Sequence, residues 1–225
     1  MREPTFKTVP LLVVFILAVG LAFLFAQDAN RDLWTIAPDG RTGAITVSTT
    51  EADLKRVYGD ANVKDYDVDT GEGMFENGTA IFSDDPARRI EILWRDSQTK
   101  RFPSYVYLRG PVRSIWKTVG GISVGTTLLD LERLNLRPFR LLGFYHDGSG
   151  AVMSWGNGRL GRDFGSFAFP DNRQVVMFLD PGEITEDHLT VVRQVMGDRE
   201  FSSGHPAMQT LNPRIRLMIF QFGER

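Results

Sequence analysis

The sequence predicts an α+β protein with antiparallel sheet, set behind an N-terminal hydrophobic helix. Three observations carry that expectation. Residues 11–26 are apolar without a break. A fourteen-residue segment recurs 77 positions later. Short strand-like runs, separated by Gly, Pro, Asp and Asn turns, follow each copy, which is the order of elements that gives helices segregated from an antiparallel sheet. The 225 residues are 42% hydrophobic and 24% charged, the composition of a globular protein. With no cysteine, disulfides, thiolate nucleophiles, zinc–cysteine sites and lipid-modified cysteines are excluded.

The chain opens with Arg2 and Lys7 against Glu3, then Val9-Pro10 and the apolar run, which Gln27, Asp28, Asn30, Arg31 and Asp32 end abruptly. At 16 residues, or 18 from Val9, the run lies between a signal-peptide core and a full membrane span. Leu24-Phe25-Ala26 can serve as a cleavage site because Ala26 is small, so residues 1–26 are expected to be a cleaved signal peptide or a retained anchor. Either way the basic end stays on the cytoplasmic side and the remainder is exported, periplasmic or anchored facing the periplasm.

Residues 27–42 read as a leader with a turn at Pro38-Asp39-Gly40. The repeat comes next: Ile45 to Tyr58 and Ile122 to Asn135 share seven of fourteen residues. Thr50 and Thr127 are expected helix N-caps, with Asp53 and Asp130 at the capping-box position three residues on. Leu54 and Val57, then Leu131 and Leu134, supply the apolar stripes, and Gly59 and Pro138 end the helices. Two related modules are expected, 43–118 and 119–225, the second closing with a helix and a strand.

After the first helix, strands are expected at Val63 to Val68, Thr79 to Phe82, Ile90 to Trp94, Tyr105 to Leu108 and Val112 to Trp116. After the second come Phe139 to Tyr145, Ala151 to Trp155, Phe164 to Phe169 and Gln174 to Leu179. A helix is expected over Glu183 to Met196, a loop over Ser202 to Pro213 and a last strand over Ile215 to Phe222.

The paired Thr-Thr-x-x-Asp-Leu units, each followed by hairpins, resemble the helix-then-sheet modules of SmpA/OmlA-type lipoproteins and of the β-lactamase-inhibitor-like fold. A longer pattern is Trp116-Lys117-Thr118-x-Gly120-Gly121-Ile122, then Leu131-Glu132-x-Leu134-Asn135, then Pro138-Phe139 and Pro206-Ala207-Met208-x-x-Leu211-Asn212-Pro213. It is similar to a group of uncharacterised exported bacterial proteins, and that resemblance implies no particular activity. The missing cysteine departs from the lipoproteins, so a lipid anchor does not carry over.

Two motifs offer chemistry. Asp65, Asp67, Asp69 and Glu76 stand at the first, third, fifth and twelfth positions of a calcium loop, but Thr70 replaces the turn glycine and Glu72 an apolar residue. The alternation reads instead as the wet face of a strand. Gly156-Asn157-Gly158-Arg159-Leu160-Gly161 spells a dinucleotide fingerprint, yet the residues after it are not expected to form the helix the pyrophosphate needs. His146, His188 and His205 have no metal-ligand spacing. No catalytic residue, metal ligand or cofactor is therefore assigned. The net charge of −2 gives no nucleic-acid footprint. The expected role is a non-enzymatic envelope module that binds another envelope protein or supports structure, with membrane contact through an uncleaved N-terminus. A small-ligand or calcium binder and a hydrolase with an unrecognised site are the alternatives.

Overall fold

The computed structural model describes residues 33–37, 41–111, 113–164 and 175–222. The apolar run 11–26 and the Pro38-Asp39-Gly40 turn lie outside them. Among the described residues no helix is long and apolar enough to cross a membrane.

The protein is α+β, with antiparallel sheets and a few short helices. Its main sheet has six strands in the order β2-β3-β4-β5-β11-β9, every neighbouring pair antiparallel. These are β2 (Val63–Gly71), β3 (Met74–Ile81), β4 (Ile90–Asp96), β5 (Arg101–Arg109), β9 (Val175–Asp180) and β11 (Arg214–Gln221). β7 (Arg140–Leu142), β8 (Val152–Ser154) and β10 (Glu200–Ser202) make a second sheet in the order β10-β7-β8. β1 (Thr35–Ile36) and β6 (Lys117–Thr118) pair in parallel as a separate two-stranded ribbon. The expected modules 43–118 and 119–225 thus share one sheet, since β5 pairs with β11 from Leu217↔Arg109 to Gln221↔Tyr105.

The helices are α1 (Glu51–Tyr58), α2 (Leu128–Asn135), α3 (Leu160–Phe164), α4 (Glu186–Arg193) and α5 (Pro206–Leu211). Alternating strand residues Ile90, Ile92 and Trp94 on β4, Val106 and Leu108 on β5, and Met218 and Phe220 on β11 turn to the same core as Leu54, Leu131, Met208 and Leu211 from the helices, the burial that stabilises a two-layer fold. The expected leader takes part: Ile36 is buried, and Trp34 stands edge-on to Trp116 at 5.0 Å between ring centroids.

The threonines capping α1 and α2 make the same side-chain bonds, while the full capping box closes at α1, where Thr50 N also donates to Asp53 Oδ2 at 3.0 Å. Thr50 Oγ1 accepts from Asp53 N at 3.2 Å and donates to Asp53 Oδ2 at 2.7 Å. Thr127 Oγ1 accepts from Asp130 N at 3.1 Å and donates to Asp130 Oδ2 at 2.8 Å. Upstream, Thr46 N donates to Thr49 Oγ1 at 2.8 Å and Ser123 N to Thr126 Oγ1 at 3.0 Å. Downstream, Arg56 reaches Asp53 at 2.9 Å and Arg133 reaches Asp130 at 2.8 Å. Each cap also bridges the first residue of a sheet strand, or its equivalent: Thr50 to Arg101 and Thr127 to Arg214.

Several expected elements differ. Residues 113–116 form no strand: the chain bends at Ile115, and regular pairing with β1 is confined to Lys117 and Thr118. The loop expected over Ser202 to Pro213 contains α5, started by Pro206 at the first helical position, capped by His205 Nδ1 accepting from Ala207 N at 3.2 Å, and stopped by left-handed Asn212. A short helix, α3, starts within the glycine motif at Leu160 and runs past its end, contrary to the expectation. Phe164 ends that helix, so the expected strand from Phe164 does not start there; residues 165–169 lie outside the described set.

Candidate functional site

β3 pairs with β4 only from Thr79↔Ile92 to Ile81↔Ile90. The distal halves of β2 and β3 are paired with each other alone and project as a two-stranded arm. Its turn is built by residues that adopt positive φ: Gly71 at 105°, Glu72 at 53° and Gly73 at 75°. Beyond the turn, adjacent Met74 and Phe75 are 57% and 64% exposed. Successive strand residues face opposite sides of the ribbon, so each face of the arm's tip presents one large exposed apolar side chain to solvent.

The arm curls back over the sheet. Arg109 on β5, three places from β2 in the sheet, donates from Nη2 to the Asp69 carbonyl at 2.6 Å, and its Nη1 lies 3.7 Å from Asp69 Oδ2. Val68, Leu93 and Tyr107 close beneath as a small second core, with Tyr66, Leu217 and Ile219 packed on it. Gly78 permits the curl: a Cβ there would stand 2.3 Å from the Ile92 carbonyl and 2.9 Å from Val68 Cγ2.

Under the arm lies Glu91, 2% exposed, opposite Tyr107 in register. Arg109 Nε stands 3.1 Å from Glu91 Oε2 and Arg89 Nε stands 3.3 Å from Oε1. Neither approach is aligned as a hydrogen bond, so charge rather than directed bonding holds the carboxylate between the two guanidinium groups. Burial pushes the Glu91 carboxyl above its ordinary value, against the pull of Arg109 and Arg89. The arginines also sit over aromatic rings, Arg109 at 4.8 Å from Tyr107 and Arg89 at 6.0 Å from Tyr66. The cluster is a brace for the arm.

On the core side, Glu51 at the start of α1 accepts from Thr79 Oγ1 at 2.9 Å, and Thr79 accepts from Trp94 Nε1 at 2.9 Å. Lys55 and Lys100 reach the same carboxylate at 2.9 and 3.1 Å. Partial burial raises the Glu51 carboxyl, but the bonds from Lys55, Thr79 and Lys100 outweigh it and hold it below its ordinary value.

The sequence motifs are placed as follows. Asp65, Asp67 and Asp69 lie along β2 opposite Thr79, Asn77 and Phe75, and Glu76 lies on β3 opposite Val68. Asp65 pairs with Lys100 and Asp69 with Arg109, so the four acids are spread over a hairpin instead of wrapped as a loop. Among the described residues no group of three or more histidines and acids could hold a metal. In the glycine motif, Leu160 N donates to Asn135 Oδ1 at 3.0 Å, while Asn135 Nδ2 donates to the Trp155 and Arg137 carbonyls, both at 2.9 Å. The buried asparagine thus occupies the start of α3. His146 Nε2 faces the Gly143 carbonyl at 3.1 Å and its Nδ1 lies 3.9 Å from Asp198; His205 caps α5. Neither histidine is bonded to a hydroxyl.

Sequence reading missed the arm, the brace and Asn135. A polar residue at the position equivalent to Tyr58, flanked by apolar neighbours, was the available signal for Asn135. Comparison of the chain with family models, with curated proteins and with solved structures finds no match.

Proposed function

We propose that the chain is an exported, envelope-associated module that binds another envelope protein through the tip of the β2–β3 arm, and that it works by binding and not by catalysis. The apolar run 11–26 with its basic flank supports export. The two capped helices, with the same bonds at residues 77 apart and the same bridge to a strand start, support descent from one duplicated helix-plus-sheet module. The observation that carries the binding reading is the exposed Met74–Phe75 pair on an arm that Arg109, Glu91 and Gly78 hold in one shape. A tip fixed before binding loses less conformational freedom on docking than a free loop, and aromatic side chains dominate binding energy at contacts between proteins.

The test is recovery from intact envelopes with the full chain as bait. Wild type should recover a partner above background, and Met74→Ala/Phe75→Ala should reduce it by about tenfold or more, the loss of one aromatic hot spot. Recovery of no partner, or undiminished recovery by the double variant with an unchanged melting midpoint, overturns the reading.

A further inference from the structure

The segment 113–119 alternates strictly in burial, through a bend at Ile115 and into a turn at Val119. Ser114, Trp116 and Thr118 are buried, whereas Arg113, Ile115, Lys117 and Val119 are exposed, Ile115 by 40% and Val119 by 72%. The inner row is fixed: Ser114 Oγ donates to the Ala87 carbonyl at 3.0 Å, Trp116 Nε1 to the Arg88 carbonyl at 2.7 Å, and Thr118 N to the Ile122 carbonyl at 2.8 Å. The outer row is therefore a rigid line of basic, apolar, basic, apolar side chains.

Its place relative to the N-terminus gives the row a meaning. β6 runs parallel to β1, with Thr35 opposite Lys117, and Lys117 N donates to the Trp34 carbonyl at 3.0 Å. Leu33 and Trp34 form a turn ahead of β1, and the Trp34 carbonyl meets the row at Lys117. Only residues 27–32 separate Leu33 from the apolar run, and six residues span at most about 20 Å when fully extended. A bilayer holding residues 11–26 would stand within that reach of Leu33, next to Trp34, whose carbonyl accepts from Lys117 N in the row.

We infer that Arg113, Ile115, Lys117 and Val119 form a seat on the surface of an anionic lipid bilayer. The inference rests on the export reading and on residues 11–26 staying in the membrane. Ile115 and Val119 enter the boundary between headgroups and acyl chains, while the two cations face lipid phosphates, the division of labour by which interfacial segments lie on membranes. The anchor supplies the residence time, and the row sets which face of the domain turns to the lipid.

The natural chain has no cysteine, so single substitutions give unique labels. Full-length Ile115→Cys, Val119→Cys, Leu136→Cys and Leu189→Cys would each carry a fluorophore and be reconstituted into vesicles of phosphatidylethanolamine and phosphatidylglycerol. Flotation is measured first, then quenching by a lipid-borne quencher. The labels at 115 and 119 should be quenched at least about twofold more than those at 136 and 189. Adding Arg113→Glu/Lys117→Glu, or removing the anionic lipid, should abolish the difference, since each cation near an anionic surface is worth about fivefold in association. Flotation with equal quenching at all four positions overturns the seat and leaves the anchor standing. Failure to float overturns both.

Discussion

Arg109 on β5 donates to the backbone carbonyl of Asp69 on β2 at 2.6 Å, with β3 and β4 between the two strands. In a flat sheet, strands three places apart are separated by about 14 Å. The bond therefore records a local roll of the sheet, and the roll sets the direction in which Met74 and Phe75 are presented. Arg109 also neutralises the buried Glu91 carboxylate, so one side chain links charge balance to the shape of the arm.

Removing that link should cost more than a surface ion pair. Arg109→Gln leaves Glu91 buried with Arg89 as its remaining cation and frees the Asp69 carbonyl. A loss of about 3 kcal/mol is expected, the scale for breaking a buried pair by deleting one partner. Chemical denaturation of wild type and variant measures it, and amide exchange should quicken at Val68 and Asp69 ahead of β4.

Gly78 gives an independent handle on the roll. Its φ is not positive, so the demand for glycine is one of space: the Ile92 carbonyl would meet a Cβ at 2.3 Å. Gly78→Ala should destabilise by about 2 kcal/mol, the range for overpacking, with chemical-shift changes centred on Val68 and Leu93. An unchanged melting midpoint would mean that the arm does not depend on this close approach.

The two helix caps should behave as equals. Thr50→Ala and Thr127→Ala are each expected to cost about 1 kcal/mol. The threonine hydroxyls hold the Asp53 and Asp130 carboxyls below their ordinary values, aided by Arg56 and Arg133. A carboxyl lowered by folding adds stability above its unfolded value, and that stability is lost as pH falls through the folded value. Asp53→Asn and Asp130→Asn should therefore flatten the acid limb of a stability–pH curve.

Glu91 has the opposite sign. Burial raises its carboxyl above the unfolded value. The stability difference between wild type and Glu91→Gln should accordingly shrink as pH rises through the interval from the ordinary carboxyl range up to the folded value. Paired thermal melts across that interval measure it. A difference that grows with pH would show that the two arginines outweigh burial.

Calcium at millimolar concentration should leave the melting midpoint where it is, because Asp65, Asp67, Asp69 and Glu76 lie along two paired strands. A ligand that binds the native state raises the midpoint, so an upward shift would mean that the hairpin rearranges into a loop.

Local chemistry was what the sequence disclosed. Thr50 and Thr127 announce α1 and α2 because a cap is written within four residues, and the apolar alternation of β4 and β5 is equally local. The run Val112 to Trp116 alternates like a strand in sequence, yet its described residues, 113–116, are not a strand, since a ladder needs a partner and β1 offers only Thr35 and Ile36. α5 has its start and stop in Pro206 and left-handed Asn212, signals that the loop-like Ser202-Ser203-Gly204 ahead of them obscures. The site was hidden for a different reason: Asp69, Glu91 and Arg109 are far apart in the chain, and their charges looked like solvated surface until the roll of the sheet brought them together.

The account turns on the braced tip of the arm as a contact surface, and site-specific photocrosslinking in intact envelopes tests it most directly. A photoreactive residue would replace Phe75 in one chain and the comparably exposed Tyr145 in another. The account predicts a discrete higher-mass adduct from position 75, absent from position 145 and weakened when Arg109→Gln releases the arm. Equal adducts at both positions, or none at 75 in a chain that is folded and exported, would contradict it.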